Sequence, residues 1–195
     1  RFEVSPGNYE LKIVLKDVHN PTDSVSSIQD VDVRMDPNSL AFSDIMLVGS
    51  TSPAINGSVF ERGGLNLYPK ISPFYSNDLT ELQFYSELYN ANEKLGNSTP
   101  FLVSIEIVSP NTDEVVGQFR SIQRKNAAAV HPILQRINIT DLPTGSYVLM
   151  LKAVDRNNEV LSTRSLPFKR FNQSDENLSL RLHPSETFVG QIPED

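Results

Sequence analysis

The chain has 195 residues, of which 38% are apolar and 21% charged, and a protein of this size can bury a hydrophobic core without cross-links. It contains no cysteine, which excludes disulfide bonds, thiolate metal sites and cysteine nucleophiles. A formal net charge of −7 with scattered basic residues argues against nucleic-acid binding, and no run approaches the roughly 18 apolar residues that a membrane-spanning helix needs.

The first predicted element is a β-hairpin. One face of a first strand has Tyr9, Leu11, Ile13 and Leu15, and the opposite face has Glu10, Lys12 and Lys16. A turn cluster follows at residues 19–23, and a second strand is predicted at residues 27–34. Asp30 and Asp32 share one face of this second strand and could hold a calcium ion. Alternating carboxylates are more typical of a solvated strand face, which we expect here.

Short antiparallel strands are predicted for most of the remaining chain, because apolar and polar residues alternate between turn clusters. With 13 proline and 9 glycine residues, this spacing is typical of a sandwich or barrel. The predicted strands are residues 43–48, 65–70, 101–107, 115–123, 133–139, 147–153 and 161–168.

Residues 79–90 fit either a helix or a strand. Leucine and tyrosine recur at helical spacing, but aromatic enrichment favours a strand. On a strand, Tyr85, Glu87 and Tyr89 share the outward face, and such an amphipathic patch can stack a sugar or dock a protein. We favour the interpretation that residues 60–76 or a neighbouring domain cover this face, because tyrosines outside a core are common on sheets.

A sequence repeat links the two ends of the chain. Residues 4–9 and 142–147 both read as an aliphatic residue, two turn residues including proline, a glycine, a polar residue and a tyrosine. The offset is 138 residues, and the match continues along the following strand to Asp17 and Asp155, which we interpret as turn formers.

This repeat has the pattern of the tyrosine corner of immunoglobulin-like domains. Gly7 and Gly145 lie in the turn, and Tyr9 and Tyr147 begin the next strand, where each hydroxyl can bond back to the turn. Because this corner leads into the penultimate strand, each copy predicts the end of a domain. We therefore predict an all-β, immunoglobulin-like or fibronectin-like antiparallel β-sandwich, preceded by the final hairpin of another sandwich.

Three segments follow from this placement. Residues 1–36 are expected to form the C-terminal hairpin of a preceding β-sandwich whose earlier strands lie outside this sequence. An isolated hairpin is marginal in water, so we expect it to pack on the main domain or to borrow an edge. Residues 40–170 are predicted to form a complete sandwich of about eight strands, and residues 171–195 a linker or edge-strand tail.

Residue types that carry chemistry are few and scattered. His19, His131 and His183 lack zinc-ligand spacing, and serine-hydrolase and phosphate-binding glycine motifs are absent. The sequence therefore predicts no catalytic residues, no cofactor and no metal site. Five glycosylation sequons matter only if the protein is a secreted eukaryotic one, and they begin at Asn56, Asn97, Asn138, Asn172 and Asn177.

A family resemblance rests on four segments taken in order. They are the Pro-Gly-x-Tyr strand at residues 6–9, LAFSDI at 40–45, LQFYSELYN at 82–90 and DLPTGSY at 141–147. Over residues 4–170 the chain resembles the immunoglobulin-like middle region of bacterial GWxTD-domain proteins. The resemblance implies an exported, often cell-envelope protein without a defined biochemical activity. The chain has no tryptophan, so the motif that names the family and its C-terminal domain are missing.

Together these observations lead us to expect a non-catalytic structural or protein-interaction module outside the cytoplasm. Its expected partner is another protein or a neighbouring domain of the same protein, with no nucleic acid and no membrane span. The alternative is a carbohydrate-binding module that uses Tyr85 and Tyr89 to bind a glycan.

Overall fold

The structure is a computed structural model that describes residues 4–20, 22–33, 39–55 and 58–173. It divides into two compact units, Arg1–Ser39 and Leu40–Asp195. Most of the junction at 35–39 and of the tail at 171–195, together with His183, Asn56 and Asn177, lie outside the described residues.

The first unit is an antiparallel hairpin of β1 (Gly7–Lys16) and β2 (Ser24–Val33). Strand β2 begins three residues earlier than predicted. Asp17 closes the connecting turn, because its carboxylate accepts the backbone N–H of His19 at 2.7 Å and its own N–H donates to the carbonyl of Asp23 at 3.2 Å. The prediction that Asp17 is a turn former is confirmed.

The second unit contains eleven strands and one short helix among its described residues. Eight of the strands have five or more residues, and the other three have only two, which is too short to show a periodic pattern. The elements are β3 (Ala41–Phe42), β4 (Met46–Pro53), β5 (Glu61–Arg62), β6 (Leu65–Pro69), β7 (Phe74–Tyr75), β8 (Glu81–Tyr89), α1 (Ala91–Leu95), β9 (Pro100–Val108), β10 (Val115–Asn126), β11 (Val130–Asn138), β12 (Gly145–Val154) and β13 (Val160–Arg170).

These strands form two sheets, as the prediction of an all-β antiparallel sandwich requires. One has the order β10-β9-β12-β13-β7, and the six-stranded one has the order β11-β8-β4-β6-β5 with β3 paired to β8. The pairs are antiparallel except that β13 and β7 run parallel, with Lys169 opposite Phe74. This one parallel pair differs from the predicted all-antiparallel arrangement, and it joins segments far apart in sequence, which local patterns do not reveal.

The ambiguous segment at residues 79–90 forms strand β8, which confirms the favoured interpretation. Leu82, Phe84 and Leu88 point inward and are fully buried, as alternation along a strand requires. Helix α1 follows directly and was not predicted. It has five residues, too few to show a helical period, and Asn90 before it adopts φ 60° and makes no side-chain cap hydrogen bond, although asparagine is a common capping residue.

The core lies between the two sheets. Its largest fully buried side chains alternate along facing strands: Leu82 and Phe84 come from one sheet, and Phe101, Ile105 and Leu149 from the other. A second apolar cluster lies outside this layer, on the outward face of the six-stranded sheet. This second cluster includes Tyr85, one of the three residues of the predicted binding patch.

Candidate functional site

The predicted patch lies on the outward face of β8. Tyr85, Glu87 and Tyr89 alternate with inward residues, so the three share one face, as expected for a strand. Strand β11 contributes the neighbouring column, with Leu134 opposite Tyr85 and Val130 opposite Tyr89.

The two tyrosines bind the carboxylate that lies between them. The hydroxyl of Tyr85 donates to Oε1 of Glu87, and the hydroxyl of Tyr89 donates to Oε2. Burial raises the pKa of Tyr85 well above its usual value, and the hydrogen bond to Glu87 and its charge add to this. Tyr85 therefore stays a neutral hydrogen-bond donor over the physiological pH range, and both rings are held in fixed positions.

Tyr85 is buried, so the three residues do not form an open patch at this position. It forms a cluster with Val48 and Leu67, and Leu65 packs against them. Leu65 and Leu67 belong to β6, so the favoured interpretation, that residues 60–76 cover this face, holds for Tyr85. The ring of Tyr85 is covered because β6 brings two large aliphatic side chains to the same face of the sheet.

Beyond this covered part, the face continues as exposed apolar surface. Leu134 is 38% exposed and Val130 is 47% exposed, and both lie beside the tyrosines in the pairing register. On the opposite side of Tyr85, Met46 is its partner on β4 and is half-buried. We call these five residues, Met46, Tyr85, Tyr89, Val130 and Leu134, the outer apolar face.

Both tyrosine corners have the hydrogen bond that the sequence predicts. The hydroxyl of Tyr9 donates to the carbonyl of Ser5 at 2.7 Å, and that of Tyr147 donates to the carbonyl of Pro143 at 3.0 Å, four residues upstream in each case. A Cβ atom at Gly145 would lie only 3.1 Å from the Tyr147 hydroxyl oxygen. The second corner therefore favours glycine for the close approach of the ring, not for a positive φ.

The corner bond gives a stability prediction. Tyr147 is buried, so Tyr147→Phe is expected to lower the free energy of unfolding by about 1 kcal/mol, because the Pro143 carbonyl loses its hydroxyl partner. Urea denaturation followed by circular dichroism measures this. The exposed Tyr68 serves as control, since Tyr68→Phe is expected to change stability by less than about 0.5 kcal/mol. Equal stability of the two variants would contradict a role for the corner.

The other residues considered as possible metal ligands are Asp30, Asp32 and the histidines. Asp30 and Asp32 are exposed on β2, opposite Glu10 and Asn8, and the described residues contain no group of three or more His, Cys, Asp or Glu side chains that could hold a metal ion. His131 is half-buried, and its Nε2 accepts the backbone N–H of Ala128 at 3.1 Å.

His131 also packs against an aromatic ring. Its ring centroid lies 5.5 Å from that of Phe101. Burial lowers the pKa of His131, and the positive charge of Lys125 lowers it further, so the ring is held neutral as a hydrogen-bond acceptor. His19 lies in the exposed hairpin turn.

Several buried polar side chains were missed. Glu106, on the outward face of β9, is 3% exposed and accepts hydrogen bonds from Lys152 at 2.8 Å and Ser104 at 2.7 Å. Arg170 and Asn172 are buried at the end of β13. The alternation predicts that Ser104 and Glu106 face solvent, and no local signal shows that side chains of neighbouring strands cover them.

Asn172 begins one of the five glycosylation sequons, and its burial decides whether that sequon can be used in the folded protein. It is 6% exposed, and its Nδ2 donates to the carbonyls of Thr140 at 2.7 Å and Leu142 at 3.0 Å. An amide nitrogen engaged in this way is closed to a glycan in the folded protein. Asn97 and Asn138 are exposed.

Comparison with known proteins adds little to this geometry. No family model matches the chain, and no curated protein matches it. A similar solved structure is the extracellular domain of a protein described as a hybrid two-component system from B. thetaiotaomicron, with a TM-score of 0.33 and 10% identity. The match covers 81% of this chain and 19% of that chain. Within the described residues, no helix has the length and apolar character to cross a membrane.

Proposed function

We propose that the chain is a non-catalytic protein-interaction module of an exported cell-envelope protein, and that another protein docks on the outer apolar face. The observation that carries this proposal is the continuation of a buried apolar cluster into the exposed side chains of Leu134 and Val130. Contiguous exposed apolar surface beside fixed aromatic rings is typical of protein-docking sites. The cell-envelope setting is supported by the resemblance of residues 4–170 to the GWxTD family.

The tyrosine–carboxylate network gives this face a polar element. Glu87 already accepts hydrogen bonds from both tyrosines, so its carboxylate is partly solvated by the chain itself. A partner that buries the face therefore covers rigid rings whose hydroxyls are already satisfied, which reduces the cost of desolvation and ordering.

A carbohydrate-binding module remains the second candidate. Sugar stacking needs the open face of an aromatic ring, and burial removes Tyr85 from that role, while Tyr89 is half-buried. A glycan array with Tyr89→Ala as control tests this alternative. Saturable sugar binding that is lost in Tyr89→Ala would favour it over protein docking.

The docking proposal is tested by placing a charged side chain on the exposed part of the outer apolar face. Leu134→Lys is expected to weaken binding of the partner at least about tenfold, because a lysine ammonium would have to be desolvated against apolar side chains. A photo-crosslinking residue at position 134 first captures the partner from envelope extract. The purified partner is then titrated against the wild-type chain and the variant by calorimetry.

The matched control is Ile122→Lys. Ile122 is 53% exposed on β10, in the other sheet, and is opposite Ser104. It is expected to leave the affinity unchanged. A partner captured equally well at position 122, or one whose affinity both substitutions weaken alike, would contradict docking at the outer apolar face.

A further inference from the structure

A cleft of about 460 Å³ lies at one end of the five-stranded sheet. Its walls come from the start of β9, from β10 and from the turn between β12 and β13, and they include Leu102, Arg124, Asp155, Arg156 and Asn158. This volume is within the range of small-molecule binding sites. The outer apolar face lies on the six-stranded sheet, so the cleft is separate from the proposed docking surface.

The two arginines of the cleft differ from the other arginines of the described residues. Each of the others forms an ion pair with a carboxylate or donates to a backbone carbonyl within the chain: Arg62, Arg120, Arg136, Arg164 and Arg170. Arg124 and Arg156 have no hydrogen-bond or ion-pair partner among the described residues, although acidic residues outnumber basic ones in the chain. Two unpaired guanidinium groups on one cleft form a site for an anion.

The turn that carries Arg156 is fixed without any contribution from its side chain. Oδ1 of Asp155 accepts the backbone N–H groups of Asn157 and Glu159, each at 2.8 Å, and Oδ2 accepts the side-chain amide of Asn157 at 3.3 Å. The carboxylate of Asp155 therefore accepts hydrogen bonds from the turn and does not pair with the arginine that follows it. The backbone of the turn at Arg156 is therefore held in place, and the guanidinium remains available to a ligand.

The internal repeat provides a comparison within the same chain. At the offset of 138 residues, Asp155 corresponds to Asp17, which also closes its turn, and Arg156 corresponds to Val18. The turn of the first unit therefore closes with valine at this position. The arginine is not required by the turn, so its presence in the cleft needs another reason.

We propose that this cleft binds a dicarboxylate, with Arg124 and Arg156 each binding one carboxylate. Leu102 lies opposite Arg124 in the pairing of β9 with β10, and with Pro100 it supplies a half-buried apolar wall for the carbon chain between the two charged ends. A compact inorganic anion would leave this wall unused. The ligand is either a free dicarboxylic acid or a pair of acidic side chains on an extended peptide.

Calorimetric titration of the full chain at low ionic strength tests the proposal with two probes, glutarate and a hexaglutamate peptide. We expect saturable binding of at least one probe. Glutarate binding alone identifies a free acid as the source, and peptide binding at least tenfold tighter than glutarate identifies a peptide. Arg124→Gln and Arg156→Gln are each expected to weaken the tighter probe at least tenfold.

Arg136→Gln is the matched control, because Arg136 is an exposed strand arginine that lies outside the cleft and pairs with Glu81 at 4.0 Å. It is expected to bind like the wild type. Arg124 and Arg156 are themselves exposed, so their variants should keep the wild-type melting temperature. The proposal is overturned if neither probe binds, if all three variants bind alike, or if sulfate binds as tightly as the better probe with the same dependence on both arginines.

Discussion

Arg170→Met is expected to lower the free energy of unfolding by about 2–3 kcal/mol. The side chain of Arg170 is 3% exposed, and its Nη1 donates to the carbonyls of Ser76 at 2.6 Å and Leu79 at 2.8 Å. These carbonyls lie in the loop between β7 and β8, so one guanidinium ties that loop to the end of β13. Methionine keeps the aliphatic stem but donates no hydrogen bond. Urea denaturation followed by circular dichroism measures the difference.

The adjacent residue provides the control. Lys169 is exposed, and its backbone N–H, which donates to the carbonyl of Pro73 at 2.9 Å, is unaffected by the side chain. Lys169→Met is therefore expected to change stability by less than about 0.5 kcal/mol. If Arg170→Met is as stable as Lys169→Met, the buried guanidinium does not stabilise the loop.

Alternation along single strands was sufficient to predict most of this fold. It identifies β9 and β12, whose inward residues Ile105 and Leu149 are fully buried. The Pro-Gly-x-Tyr pattern likewise predicts a specific bond, from Tyr9 to Ser5, because the turn geometry and the tyrosine are contiguous in sequence. These features depend on local sequence alone.

The outward faces could not be predicted in the same way. Tyr85 and Glu106 have the alternation of solvent-facing residues, yet both are buried. Their cover comes from other strands: β6 brings Leu67 against Tyr85, and β12 brings Lys152 to Glu106. The identity of the neighbouring strand is a property of the sheet order, which period-two patterns do not contain.

Strand ends also differ from the prediction for physical reasons. Strand β11 begins at Val130, three residues before the predicted start at residue 133, and includes Pro132. Proline has no N–H to donate, but β11 is an edge strand of its sheet, where a missing donor costs little. The early start places Val130 beside Tyr89 and so extends the outer apolar face.

Glu106→Gln is expected to lower the free energy of unfolding by about 2 kcal/mol at pH 7, because hydrogen bonds to a charged group are lost or weakened. Burial by itself raises the pKa of Glu106. The hydrogen bonds from Lys152 and Ser104, together with the charges of Lys152 and Arg120, outweigh burial and hold the pKa below its usual value. A carboxylate with a lowered pKa stabilises the fold above the pKa of the unfolded state, and this contribution is lost as pH falls through the folded pKa.

The difference between wild type and Glu106→Gln should therefore be largest near neutral pH and shrink as the pH falls through the lowered pKa of the folded-state carboxylate. Thermal unfolding at a series of pH values measures this. Glu81→Gln is the control, since Glu81 is 59% exposed and lies 4.0 Å from Arg136, and an exposed pair of this kind contributes less than about 1 kcal/mol. A constant difference between wild type and Glu106→Gln at all pH values would show that Glu106 acts through packing and not through its charge.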